Sequence, residues 1–167
     1  MRLKFILLLT ITVFGFSCSD DKEDVNDETG QSKIYGTWDA IELKVDDQAS
    51  DDAKFGSAIL SHLTNKNCTI VSFTFNSDMT LEANNAANYL NIGVNSTGSG
   101  LDIPCPSEMD TETSVYTYDG ETLTYVDAEN QKVSITPIIN GSLMTILATD
   151  LGYSNFDSEG ELIFEKR

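Results

Sequence analysis

The sequence predicts an all-β domain, an antiparallel up-and-down β-barrel of about eight strands with one short helix. Three features support this prediction. The run over residues 32–45 contains the single tryptophan, Trp38, and has the β-branched and aromatic content of a first strand. Short alternating apolar and polar runs follow it, and the turn dipeptides Asp119-Gly120 and Asn140-Gly141 separate several of them. Closing such strands into a barrel removes exposed edges and leaves an interior for side chains or one small ligand.

The composition limits the partners of this chain. The 167 residues suffice for one domain plus a tail, and the formal net charge is −17. Loss of the positive Arg2 and Lys4 with a leader peptide takes that charge to −19. An acidic surface repels phosphate backbones, and the sequence contains no basic stripe that would reverse this repulsion. We therefore expect no nucleic-acid partner.

The N-terminus has the organisation of a secretory signal peptide. Arg2 and Lys4 precede an apolar run over residues 5–16, which is too short to span a bilayer. Small residues stand at the third and first positions before Cys18, as a signal-peptide cleavage site requires. These features predict a signal peptide over residues 1–17.

Residues 18–32 are predicted to be an acidic, flexible tether. Cys18 is followed by Ser-Asp-Asp-Lys-Glu-Asp, and almost nothing in the segment is apolar. The cysteine after the cut resembles the lipobox of bacterial lipoproteins, and the acidic run resembles the export signal of Bacteroidetes surface lipoproteins. The resemblance implies that Cys18 is diacylated, with palmitate among the chains, and that the protein is anchored in the outer membrane facing the cell exterior. The alternative is ordinary secretory cleavage, which leaves Cys18 as a thiol.

The other two cysteines, Cys68 and Cys105, form an even pair in an exported protein, and a disulfide is the expected outcome. A shared metal site is the alternative. It needs further ligands, yet the chain has no Cys-x-x-Cys and a single histidine, His62. We therefore predict a disulfide and no metal.

The first strand and the helix after it can be placed more closely. The apolar side of the first strand switches near Ala40 and Ile41, which predicts a bend or bulge. Residues 51–63 carry apolar side chains at helical spacing, and Ser50 stands where an N-cap is expected. His62 lies beside the apolar stripe of this helix and is interpreted as a surface or capping residue.

The remaining strands follow from alternation and turn signals. Val71, Phe73 and Phe75 should share one side of the second strand. Residues 84–95 stay undecided, and residues 151–158 resemble a loop. The predicted strands are residues 32–45, 68–75, a return strand from 79, 113–118, 121–127, 132–139, 142–149 and 161–167.

Residues 33–167 as a whole resemble the lipocalin-like domains of Bacteroidetes lipoproteins. The landmarks are Gly36-Thr37-Trp38, Cys68, Phe73-Thr74-Phe75-Asn76-Ser77-Asp78, Cys105, Asp119-Gly120 with Leu123, and Ile135, Leu143 and Ile146. The resemblance implies that Gly36 and Trp38 lie at the closed end of the barrel beneath a basic residue. Arg167 is the candidate for that residue, by a cation–π contact, and Lys166 is the alternative. The resemblance also implies an interior pocket for a hydrophobic ligand.

Three function classes were compared, and the first two remain open. The first is a membrane-anchored lipoprotein whose lipocalin-like barrel binds a small hydrophobic ligand. The second is a non-enzymatic structural or protein-interaction lipoprotein with a barrel filled by its own side chains. An enzyme is not expected, because no nucleophile elbow, phosphate loop, cofactor motif or metal ligand set is present in the sequence. The aromatic residues that either line or fill the interior are Phe73, Phe75, Tyr116, Tyr118 and Tyr125.

Overall fold

The computed structural model describes residues 30–127, 130–151 and 160–167. The predicted signal peptide and nearly all of the tether, including Cys18, lie outside these residues. The described part contains one α-helix, α1 (Asp51–Thr64), and eleven strands. The strands are β1 (Gly36–Lys44), β2 (Val71–Phe75), β3 (Thr80–Asn85), β4 (Gly93–Val94), β5 (Leu101–Asp102), β6 (Asp110–Tyr118), β7 (Leu123–Val126), β8 (Lys132–Ile135), β9 (Ile138–Asn140), β10 (Leu143–Leu147) and β11 (Glu161–Lys166).

Nine of the strands form one antiparallel sheet in the order β8-β7-β6-β3-β2-β1-β11-β10-β9, and β4 and β5 form a separate two-stranded ribbon. Strands that are neighbours in this sheet are also consecutive along the chain among its nine strands, except for the pair β1 and β11. The topology is therefore up-and-down. The first and last strands pair directly, with Trp38 opposite Lys166. The predicted all-β, barrel-like fold is therefore confirmed.

The two edge strands of the sheet are consecutive in the sequence and are separated by a short connection that contains Pro137. β8 lies at one edge and β9 at the other, yet only Thr136 and Pro137 separate them along the chain. The sheet is therefore curled so that its two edges lie next to each other, connected by these two residues. β8 and β9 can be counted as two halves of one bent strand. With that count the barrel has eight strands. The prediction of one uninterrupted strand over residues 132–139 was wrong, because proline lacks the N–H that a continuous ladder requires.

β1 is shorter than predicted and bulged where predicted. Gly30–Lys33 forms a 3₁₀ turn, so the strand begins at Gly36 and not at residue 32. The register of β1 against β11 shifts between Ala40 and Glu42, which is the bend expected from the switch of apolar side. The bulge lets Ala40 and Leu43 both lie buried although three positions separate them.

Helix α1 packs against β1. The predicted helix over residues 51–63 is confirmed to within one residue, and the Ser50 hydroxyl accepts a hydrogen bond from the Ala53 N–H at 3.2 Å. The Ser57 hydroxyl donates to the Leu43 carbonyl at 2.6 Å and ties the helix to the strand. None of the helices in the described ranges is both long and apolar enough to cross a membrane.

The predicted disulfide is present. Cys68 follows α1, Cys105 follows β5, and their sulfurs are bonded with the Cα atoms 5.4 Å apart. Lys66 supplements the crosslink by donating from Nζ to the Ile103 carbonyl. The excursion that contains β4 and β5 is thereby attached to the C-terminal end of the helix.

The barrel has two unlike ends. Tight hairpins after β2, β6 and β9 collect at one end, named here the floor. The longer connections collect at the other end, named here the mouth: α1, the β4–β5 excursion, and the segments after β7 and β10. In the hairpin after β2, Met79 has a positive φ of 67°, a backbone conformation that favours glycine.

Candidate functional site

Trp38 fills the barrel floor. Its side chain is fully buried, and the indole Nε1–H donates to the Ile34 carbonyl at 2.7 Å. Ile34 lies between the 3₁₀ turn and the start of β1, so this hydrogen bond attaches that segment to the core. Trp38 is not one of the residues that line the cavity described below.

The basic residue over the tryptophan is Lys166, and the prediction of Arg167 was wrong. Lys166 Nζ lies 5.2 Å from the centre of the indole ring, within the range of a cation–π contact. Arg167 instead makes a bidentate ion pair with Asp39, through Nη2 at 2.6 Å and Nε at 2.9 Å. The reason is strand alternation: Lys166 is paired with Trp38 and shares its face, so the next residue points to the opposite face.

Gly36 makes room for this contact. Its φ is +112°, a conformation that residues with a side chain rarely adopt, and a Cβ at this position would lie 2.9 Å from Cε of Lys166. The lysine stem crosses the space that any other residue would occupy. Gly36, Trp38 and Lys166 therefore form one structural unit at the floor.

A cavity of about 510 Å³ lies inside the barrel and extends to its mouth. Its walls are the inward side chains of the strands, including Phe73, Leu81, Tyr125, Val133 and Ile146. A volume of this size is within the range of sites for small molecules, and such sites are typically apolar with a few polar groups. The barrel is thus filled by side chains at its floor and open at its mouth.

Of the five aromatic residues singled out from the sequence, three line the cavity and two lie at the floor. Phe73, Phe75 and Tyr125 line the cavity, whereas Tyr116 and Tyr118 do not. Tyr116 donates its hydroxyl to the Asn76 carbonyl at 2.9 Å, and Tyr118 donates to the Gly120 carbonyl at 2.9 Å. Both tyrosines therefore belong to the floor.

Burial also changes the acidity of these two tyrosines. Desolvation raises the pKa of Tyr116 to about 12, with smaller contributions from Tyr35 and Asp78. Desolvation likewise raises the pKa of Tyr118, and the charges of Asp119 and Glu121 add to this effect. Both hydroxyls stay protonated at neutral pH and act as hydrogen-bond donors.

The mouth of the cavity is lined by carboxylates and amides. Four acidic residues, Asp110, Glu112, Asp127 and Asp150, contribute to it, and no lysine, arginine or histidine does so among the residues that the structure describes. The amide-bearing residues are Asn84, Asn85 and Asn88. We call the four acidic residues the acidic rim.

Asp110 is the most firmly held member of the acidic rim. It accepts hydrogen bonds from the Tyr89 hydroxyl at 2.7 Å and from the Asn88 amide at 2.9 Å. These two bonds lower the pKa of Asp110 below its ordinary value and keep it ionised at neutral pH. The bond to Asp110 also raises the pKa of Tyr89.

Sequence reasoning missed the acidic rim. Its members lie on or beside different strands, far apart in the chain, and no local spacing links them. A signal was nevertheless available: the hairpin dipeptides mark one end of the barrel, so inward residues at the opposite strand ends must lie together.

The remaining candidates lie away from the cavity. His62 is on α1 and is not one of the lining residues. Across residues 30–127, 130–151 and 160–167, no three His, Cys, Asp or Glu side chains are grouped so that they could hold a metal ion. No protein-family model, curated protein or solved structure matches this chain.

Proposed function

We propose that this protein is a lipid-anchored, surface-exposed lipoprotein of the outer membrane whose lipocalin-like barrel binds a small hydrophobic ligand. The observation that carries the ligand-binding part is the open cavity of about 510 Å³ inside the barrel, whose lining combines apolar side chains with a smaller set of polar and acidic ones. The leader, Cys18 and the acidic tether support the anchoring part. The protein acts as a binding module rather than as an enzyme in this proposal.

The cavity favours a carrier over a barrel filled by its own side chains. A filled barrel needs inward side chains large enough to occupy the interior, as the fully buried Trp38 and Phe164 are. Around the cavity the small Ala83 faces inward beside Phe73, its partner in the ladder between β2 and β3, and Phe73 and Tyr125 are only partly buried. Apolar side chains that stay partly exposed inside a barrel are available to bury a ligand.

A neutral fluorescent probe tests ligand binding. The protein is the full chain carrying Cys18→Ala, purified without detergent, and the probe is Nile red, whose emission rises in apolar surroundings. We expect saturable binding of one probe per chain. Ala83→Trp should weaken this binding by at least about tenfold, because the indole occupies the cavity.

Val115→Trp is the matched control, since Val115 is 64% exposed on the outer side of β6 and the same bulk is added outside the barrel. Thermal unfolding of both variants verifies that they are folded. Absence of saturable binding by the parent protein, or equal binding by folded Ala83→Trp and Val115→Trp proteins, contradicts the proposal.

Membrane fractionation tests the anchor. Cys18→Ala should move the protein from the membrane fraction to the soluble fraction, because multiple acyl chains supply the attachment. Ser19→Ala is the control and should remain with the membrane. A Cys18→Ala protein that stays in the membrane fraction contradicts lipidation at this residue.

A further inference from the structure

We infer that the ligand of the barrel is a cationic amphiphile, with an apolar body inside the cavity and a protonated amine or quaternary ammonium group at the acidic rim. This inference rests on the proposed function, since it specifies the chemistry of the ligand for the same cavity. It follows from the distribution of charge along the cavity and not from the acidic residues alone.

The cavity wall changes character from its depth to its mouth. The deep part is formed by side chains without charge, among them Phe75, Leu123 and Ile135 at the floor ends of their strands. The charged groups appear only at the strand ends that face the mouth, where the acidic rim lies. A ligand that satisfies both regions has an apolar portion and a polar portion at opposite ends.

The sign of the charge excludes the commonest apolar ligands with a charged end. A fatty acid would place its carboxylate beside Asp110, Glu112, Asp127 and Asp150, with no cation among the described lining residues to compensate it. Lys132, which is opposite Val126 in the ladder between β7 and β8, is not a lining residue; it precedes the inward Val133 and therefore faces away from the lumen. A positive group instead meets acceptors on several sides.

The carboxylate of Asp110 is preorganised to accept a positively charged group. The bonds from Tyr89 and Asn88 hold its carboxylate in place, so little side-chain entropy is lost when a ligand binds. Glu112 is opposite Ala83 in the ladder between β3 and β6, which directs its side chain to the lumen side of the sheet. These two carboxylates stand on one strand, two positions apart, on the same face.

Three ligands with the same apolar chain test the inference. Dodecylammonium, dodecanol and dodecanoate compete with Nile red for the full chain carrying Cys18→Ala, each below its aggregation concentration. We expect dodecylammonium to bind about tenfold more tightly than dodecanol, and dodecanoate to bind more weakly than dodecanol. The preference for the cation should decrease as salt is added.

Two double variants separate the acidic rim from the overall negative charge of the protein. Asp110→Asn with Glu112→Gln should remove most of the preference for dodecylammonium while leaving dodecanol binding within about twofold. Asp47→Asn with Asp102→Asn makes the same change in net charge away from the cavity lining and should preserve the preference.

The outcomes distinguish this inference from the proposed function. If dodecanol and Nile red bind but dodecylammonium has no advantage, the inference is overturned and the hydrophobic site stands. Equal loss of the preference in both double variants also overturns it, because the effect then comes from net charge. If neither Nile red nor any of the three ligands binds, the proposed function itself fails.

Discussion

Replacement of Trp38 by leucine probes the barrel floor most directly. The substitution removes a fully buried aromatic side chain and its hydrogen bond to the Ile34 carbonyl. Leucine refills only part of the space, which costs roughly 2–3 kcal/mol, and the buried carbonyl left without its donor costs about 1–3 kcal/mol. We expect Trp38→Leu to lower the free energy of unfolding by about 4 kcal/mol.

A double-mutant cycle then identifies the cation over the ring. Lys166→Met keeps the apolar stem and removes the charge, so it should cost about 0.5–1 kcal/mol when Trp38 is present and almost nothing beside leucine. Arg167→Met removes the ion pair with Asp39, an exposed interaction worth about 0–1 kcal/mol. Its effect should be independent of Trp38 to within about 0.3 kcal/mol.

Urea denaturation followed by far-ultraviolet circular dichroism is the suitable assay, because the substitution removes the single tryptophan. The background is the full chain carrying Cys18→Ala. A coupling energy with Trp38 that is zero for Lys166, or as large for Arg167 as for Lys166, refutes the arrangement described for the floor.

Three further predictions concern the crosslink, the helix and a buried tyrosine. Cys68→Ala with Cys105→Ala should lower the free energy of unfolding by about 4 kcal/mol, from the loop entropy of a sequence separation of 37, and a loss below about 1 kcal/mol in urea denaturation contradicts this estimate. Ser50→Ala should cost about 1 kcal/mol but Ser50→Gly only a few tenths, as measured by thermal unfolding; equal costs argue against the N-cap. Because the pKa of Tyr116 rises from its ordinary 10.0 to about 12 in the folded protein, its contribution to stability is complete below pH 10 and decreases as pH rises towards 12. Tyr116→Phe should weaken the loss of stability between pH 10 and pH 12 in urea denaturation, and a pH dependence that the substitution leaves unchanged opposes the prediction.

Local chemistry made several elements predictable from sequence. Ser50 and the apolar spacing after it define α1, because capping and helical periodicity act within a few residues. The dipeptide Asp119-Gly120 predicts the hairpin between β6 and β7, and Asp119 Oδ1 accepts from the N–H groups of Glu121 and Thr122. These interactions do not depend on how the rest of the chain is arranged.

The sequence could not identify the basic residue that contacts Trp38, because this depends on the register between β1 and β11. Lys166 and Arg167 are adjacent, and both are positive and close to the end of the chain. Which of them meets Trp38 depends on one step of strand alternation, and that step is set by the pairing of β11 with β1 and by the bulge within β1. A shift by one residue exchanges the two faces, so composition alone cannot decide between them.

By itself the sequence determined the all-β class, the single helix, the cysteine pair and the expectation of a leader and an anchor. These features rest on periodicity, turn residues and the counting of groups, which are properties of short segments. Only the tertiary structure decided that the bend at Pro137 joins the two edges of the sheet, that the barrel is filled at one end, and that a cavity with an acidic rim lies at the other. Those features arise from residues far apart in the chain, and their distances follow from the strand order and the curvature of the whole sheet.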